Sequence, residues 1–149
     1  MLENEFIIRI VAAALLGSFL GVERSISGKH AGMRTYALVS LGSALFVGTG
    51  TLASLGLLPL FGGINPLQIA GSVVLGVGFL GTGLSVFRGE HPVELTTASG
   101  LWVSAGVGMA CGFGLYTLAV TSTVLGIIIF SVFARLESRI GAFFGTKHE

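Results

Sequence analysis

The chain has 149 residues, of which 52% are hydrophobic and only 10% charged, with no aspartate and a mean hydropathy of +0.92. A soluble domain carries about 25% charged residues, so this sequence cannot cover a water-facing surface. A formal net charge of +1 excludes the basic footprint of a nucleic-acid binder. The solvent it is built for is the lipid bilayer.

The first apolar run, 6–22, predicts one crossing helix, since a crossing needs about 20 residues at about 1.5 Å each. Glu3 and Glu5 precede it where a cleavable signal peptide would be positively charged, and no small-residue cleavage site follows. Arg9, four residues after Glu5, is expected to pair with it and snorkel to the interface. The segment 21–35, GVERSISGKHAGMRT, then gathers Glu23, Arg24, Lys29, His30 and Arg34 and reads as a loop. No charge follows from Thr35 to Phe87, and GGINP at 62–66 divides that interval into helices at 35–58 and 66–87. Gly and Pro end helices because Gly takes any backbone conformation and Pro lacks the N–H donor. A second loop holds Arg88, Glu90, His91 and Glu94. Leu95 to Ala134 is again uncharged, and CGFG at 111–114 divides it into helices at 95–112 and 114–134. Continuous rather than alternating apolar runs exclude a β-barrel. The expected fold is all-α, one integral membrane domain over 1–149 with five transmembrane helices.

Lys and Arg alternate between the connections. The 21–35 and 88–94 segments and the tail after 134 carry them, whereas 59–65 and 111–114 carry none. The positive-inside rule then places both charged loops and the C terminus in the cytoplasm and the N terminus outside. The 24 glycines concentrate inside the spans. Gly17 and Gly21, like Gly108 and Gly112, have the four-residue spacing that lets helices approach closely in lipid, and Gly78 and Gly81 are assigned the same role. GVGFLG at 76–81 matches the G-x-G-x-x-G dinucleotide fingerprint, but it lies mid-span with no βαβ unit around it and reads as packing. Cys111 is the only cysteine, so it cannot form an intrachain disulfide and is expected to pack as a small apolar residue. Phe19-Leu20-Gly21 recurs 60 residues on as Phe79-Leu80-Gly81, and Thr35 and Ser43-Ala44 recur 61 residues on as Thr96 and Ser104-Ala105. These matches suggest a parallel repeat of two helix–loop–helix units, followed by a fifth helix.

Gly21-Val-Glu23-Arg24, Ala31-Gly32-Met33-Arg34-Thr35 and Leu38-Val39-Ser40 resemble the signature of MgtC/SapB membrane proteins. GVGFLGTG at 76–83 and Leu95-Thr96-Thr97-Ala98 with Leu101-Trp102 resemble that family's second block. The resemblance implies a bacterial or archaeal inner-membrane protein associated with adaptation to low magnesium, in some members with virulence. It also implies a partner, the membrane sector of ATP synthase. The family name points to Mg²⁺ transport, an activity not established for it. Many relatives carry a C-terminal cytoplasmic domain after the last helix, and the present sequence is expected to match the transmembrane part alone. Relatives tend to have Gly where this chain has Glu94, which adds a negative charge before helix 4.

Three readings of the loops stand at this level. Glu23, Arg24, Arg34 and Glu94 could form ion pairs that lock the loops. Arg34 and Arg88, beside two helix N-termini with Thr35, Thr96 and Thr97 as caps or donors, could bind an anion. Glu23, Glu90 and Glu94 could hold Mg²⁺ as hard oxygen ligands, although four Lys/Arg against three Glu disfavour a bare cation site. No acid or His lies inside a span; the polar groups there are Gln68, Ser72, Thr82, Ser85, Ser99 and Ser104. Active Mg²⁺ pumping by one chain therefore lacks a carboxylate partner at the midplane. No Ser or Cys has a His beside it at membrane depth and no His/Glu cluster has zinc spacing, so no enzyme is expected. Trp102, about 9 Å from the start of its helix by helical rise, reads as an interfacial anchor or as packing on the glycine-rich helix 3, and the resemblance to the family's second block favours packing. The expected function is a regulatory or ligand-sensing membrane protein with a polar cytoplasmic cap. The alternative is a channel or transporter subunit, for which a homo-oligomer would have to surround the path.

Overall fold

With no water in the hydrocarbon layer, an apolar run must satisfy its backbone internally, and each run here does so as a helix. The computed structural model describes residues 2–56, 65–86 and 95–144, and among them every regular element is helical. They are α1 (Leu2–Ile26), α2 (Met33–Ser54), α3 (Pro66–Val86), α4 (Leu95–Gly112) and α5 (Tyr116–Ile128). A π-helical segment, Ile129–Phe133, joins α5 without a break to α6 (Ala134–Phe144).

Several boundaries differ from the sequence reading: helix 1 starts at Leu2 rather than 6, and helix 2 ends at Ser54 rather than 58, closed by Gly56 at φ +73°. Helix 1 does not stop at 22 but runs to Ile26, so Glu23 and Arg24 stand on its last turns rather than in a loop. The stop is set by Gly28 at φ +66°, with the Lys29 N–H donating to the Arg24 carbonyl and the Gly28 N–H to that of Ser25. That is the paired hydrogen bonding of a Schellman turn, which overrides the polar composition just before it. The last rod extends past 134 to Phe144 because α6 is amphipathic and continues the helix beyond the apolar span. The break expected at 111–114 falls where α4 ends, and that at 62–66 lies outside the described residues except for Asn65 and Pro66, where α3 begins. Asn65 caps α3 through its Oδ1, which accepts the Leu67 N–H at 3.0 Å, with Pro66 at the first helical position. Residues 57–64 and 87–94 lie outside the described residues, as does the 88–94 half of the expected cap.

Gly17 lies against Ser40, Gly112 against Ala44, Gly81 beside Ala98 and Leu20 against Gly126. These contacts put the starts of α2 and α4 at one end of the bundle, together with the C-terminal ends of α1 and α3 and the π segment. That end carries Glu23, Arg24, Lys29, Arg34 and Arg135. The two hairpins therefore run in the same sense. Tyr36 and Thr97, one repeat length apart, meet at the α2–α4 contact. The halves are not equally packed, however: α1 touches α2, α4 and α5, whereas α3 touches only α2 and α4 among the described residues.

The core is made mainly of small residues, with Phe6, Leu20, Tyr36, Leu101 and Phe130 as its larger members. Phe19, Leu38, Phe46, Leu75 and Phe79 face outward. This distribution suits a bilayer, where close approach rather than exclusion of water drives helix association. Among the described residues, four helices are long and apolar enough to cross a membrane: Asn4–Ile26, Met33–Ser54, Pro66–Leu84 and Tyr116–Gly141. The helix left out, α4, is central, with Thr97, Gly100, Ser104, Gly108 and Gly112 all buried. It meets protein on most sides and needs little apolar surface of its own.

The assigned packing glycines divide. A Cβ on Gly17, Gly21, Gly108 or Gly112 would collide with backbone of α2 or the turn before it, at Tyr36, Met33, Ser40 and Ala44 respectively. A Cβ on Gly81 would make an ordinary 3.6 Å contact with Ala98. Gly78 departs from the expectation: nothing lies within 4 Å of its Cβ position, because α3 is peripheral. Trp102 is 56% exposed and borders a groove between α3 and α4 that Gly78 and Gly81 also line.

Candidate functional site at the charged end

Arg24 is the most deeply placed charge at this end, 5% exposed. Its guanidinium donates to the Glu23 carboxylate through both Nε and a terminal nitrogen, and the Ser27 hydroxyl donates to the same carboxylate at 2.7 Å. The plane of Arg24 lies over the Phe130 ring, 4.3 Å from its centroid. A desolvated cation over an aromatic face gains roughly 2 kcal/mol, which offsets part of the cost of removing Arg24 from water. Phe130 belongs to the π segment, a type of distortion frequent at functional sites.

From Phe130 the contacts run into the bundle. Tyr36 meets Phe130 edge-on, with centroids 6.4 Å apart at 77°. The Tyr36 hydroxyl donates to the Thr97 carbonyl at 2.9 Å, and Ser104 donates to the Tyr36 carbonyl at 2.8 Å. Gly100 makes room for the Tyr36 and Phe130 rings, which a Cβ would overlap. Arg24, Phe130, Tyr36 and α4 therefore form one continuous buried path from the charged end into the central helix.

The other sequence-assigned residues fall in different places. Arg34 is exposed in the first turn of α2 and has no ion-pair partner among the described residues. Thr35 is exposed and lines a groove between α2 and α3. It is not the cap of α2: Ser25 reaches across from α1, and its hydroxyl accepts the Met33 N–H at 2.8 Å. Thr96 is exposed and Thr97 buried, while Arg88 and Glu94 lie outside the described residues. The partner that Glu23 takes is Arg24. Among the described residues, no three His, Cys, Asp or Glu side chains come together as a metal site. Sequence reasoning missed Tyr36 and Phe130, whose only sequence signal is an aromatic in an otherwise small-residue register.

Arg9, at the opposite end, pairs with Glu5 as expected, but it folds inward rather than only reaching for water. It donates to the Gly112 carbonyl at 2.9 Å and covers the Phe6 ring at 4.5 Å. A cation there complements the C-terminal dipole of α4.

The MgtC family profile matches residues 10–139, which includes every residue of the buried path. The chain belongs to the MgtC family. It is 41% identical over 137 residues to the "Putative magnesium transporter YhiD" of Escherichia coli K12, covering 91% of this chain and 64% of that protein. It is 39% identical over 125 residues to "Protein MgtC" of Salmonella typhimurium LT2, covering 84% of this chain and 51% of that one. The chain thus spans between about half and two thirds of these relatives' length. No solved structure matches it. As a member of the MgtC family with apolar helices that can cross a bilayer, it is a multi-pass membrane protein. The MgtC-type segments Gly21–Arg24 and Ala31–Thr35 flank the turn that sets Arg24 against Phe130.

Proposed function

We propose that the protein is a regulatory or ligand-sensing protein of the inner membrane, tied to magnesium limitation, with its charged end in the cytoplasm. In this reading the Glu23–Arg24 pair senses the state of that end, and the Phe130–Tyr36 contact passes it to α4. A membrane partner, such as the ATP synthase sector that the resemblance implies, would read the result. The observation that carries the reading is how the hydroxyls inside the spans are used. Ser18, Ser43, Thr49, Thr51, Ser72, Thr82, Ser99 and Thr123 each donate to the carbonyl four residues back on their own helix. Their protons are turned onto their own backbone, and the apolar runs 10–22, 35–86 and 95–134 hold no acid or His, the groups that ion pathways through a bilayer use.

A transporter subunit is the second reading, favoured by the name of the Escherichia coli relative. Proteoliposomes loaded with a Mg²⁺-sensitive dye separate the two. The regulatory reading expects Mg²⁺ entry no faster than in empty vesicles; saturable entry dependent on the protein overturns it. In the same preparation, a ligand bound only by the folded state raises the melting temperature with concentration. Mg²⁺, phosphate and ATP are the ligands to titrate, and Glu23→Gln and Arg34→Gln should weaken the response of the one that binds.

A further inference from the structure

A cavity of about 670 Å³ opens between the end of α1 and the π segment with α6. Its walls change character along its length. Phe19, Val22 and Ile127 line its deeper part with hydrocarbon, and Glu23, Ser27, Ser131, Arg135 and Ser138 follow toward the charged end, with Ile26 among them. The charges there are not equivalent. The Glu23 carboxylate is already held by Arg24 and Ser27. Arg135 has no ion-pair partner among the described residues, so it is the cation left over. Ser131 and Ser138 lie four residues before and three after it on one helical rod, hence on its face; the Ser138 hydroxyl donates to the Arg135 carbonyl at 2.8 Å, which leaves Ser131 as the hydroxyl placed to donate to a ligand.

The geometry points to a binding site for one anionic phospholipid, with its phosphate on Arg135 and the Ser131 hydroxyl and an acyl chain along Phe19, Val22 and Ile127. Charge complementarity selects the anionic headgroup, because the groove with Arg24 and Glu23 carries one net positive charge. The apolar walls select a lipid over a free phosphate, because each buried CH₂ of an acyl chain adds to the binding. Arginine suits the phosphate because its planar fork can bind two oxygens at once. Phe130 and Ser131 are consecutive in the π segment, one under Arg24 and the other in the groove, so the lipid would border the buried path. The site does not depend on the regulatory reading, since a transporter subunit could hold the same lipid.

Native mass spectrometry of the detergent-purified full chain tests it, with phosphatidylglycerol and phosphatidylcholine of identical acyl chains in competition. Wild type is expected to retain phosphatidylglycerol several-fold over phosphatidylcholine. Arg135→Gln should remove most of that preference, Arg135→Lys should keep part of it, and Arg139→Gln should leave it intact. Phe19→Ala, at an already exposed position, should lower retention of both lipids. Equal preference in Arg135→Gln, or an equal loss in Arg139→Gln, would mean diffuse surface charge and overturn the site. Displacement of the lipid by millimolar inorganic phosphate would overturn the role of the apolar walls.

Discussion

Gly108 and Gly78 are the same residue type in similar apolar surroundings of sequence, yet their surroundings in space are opposite. A methyl group on Gly108 would overlap the Ser40 backbone, which cannot move without shifting α2 against α4. Overpacking of this kind costs about 1–3 kcal/mol. Gly108→Ala should therefore lower the melting temperature in nanodiscs, whereas Gly78→Ala should leave it unchanged or raise it, because alanine is the better helix former. Equal effects at both positions would count against the packing described for α3 and α4. Tyr36→Phe removes only the hydroxyl that donates to Thr97 and keeps the ring on Phe130. The expected loss is about 1 kcal/mol, read by thermal or denaturant unfolding, and no loss would mean that the buried path is held by ring packing alone.

At the scale of elements, the helices here end on backbone geometry rather than on polarity. Gly28, Gly56 and Gly114 are the positive-φ residues of the described chain, and they close α1, α2 and α4. Gly114 holds φ +79° and approaches the Arg9 guanidinium, with the Leu115 N–H donating to the Ala110 carbonyl at 2.8 Å. Gly114→Ala should cost about 1 kcal/mol from left-handed strain and disturb the Arg9 contact with Gly112. A melting temperature equal to wild type would contradict the turn. The π segment has the opposite logic: Ile129–Phe133 contains neither Gly nor Pro. Its widened turn is maintained by what it packs against, Phe130 under Arg24 and beside Tyr36.

For the molecule as a whole, the charged end and the Arg9 end should lie on opposite sides of the membrane. With Cys111 replaced by alanine, single cysteines at Lys29 and at Leu55 should react with a membrane-impermeant maleimide from opposite faces. The cytoplasmic face is expected for Lys29. Labelling of both from one side would break the topology. Cys111 itself is fully buried and should label only after denaturation, so an intermolecular disulfide through it is not expected in the native protein.

Hydropathy, glycine placement and charge spacing determined the helices, their number and their order. These follow from the backbone's need for internal hydrogen bonds in lipid and from the local geometry of glycine, and both act within one segment. The family likeness was legible for the same reason, in contiguous stretches such as Ala31–Thr35. Which charge is buried was decided only in three dimensions. Arg24 and Arg34 are equally plausible in sequence, but Arg24 meets Phe130, about a hundred residues away, while Arg34 faces outward. The same holds for Tyr36 on Thr97 and for the groove that isolates Arg135. Each of these depends on how separate helices rotate against one another, and a periodicity within a single helix carries no record of its neighbours' rotation.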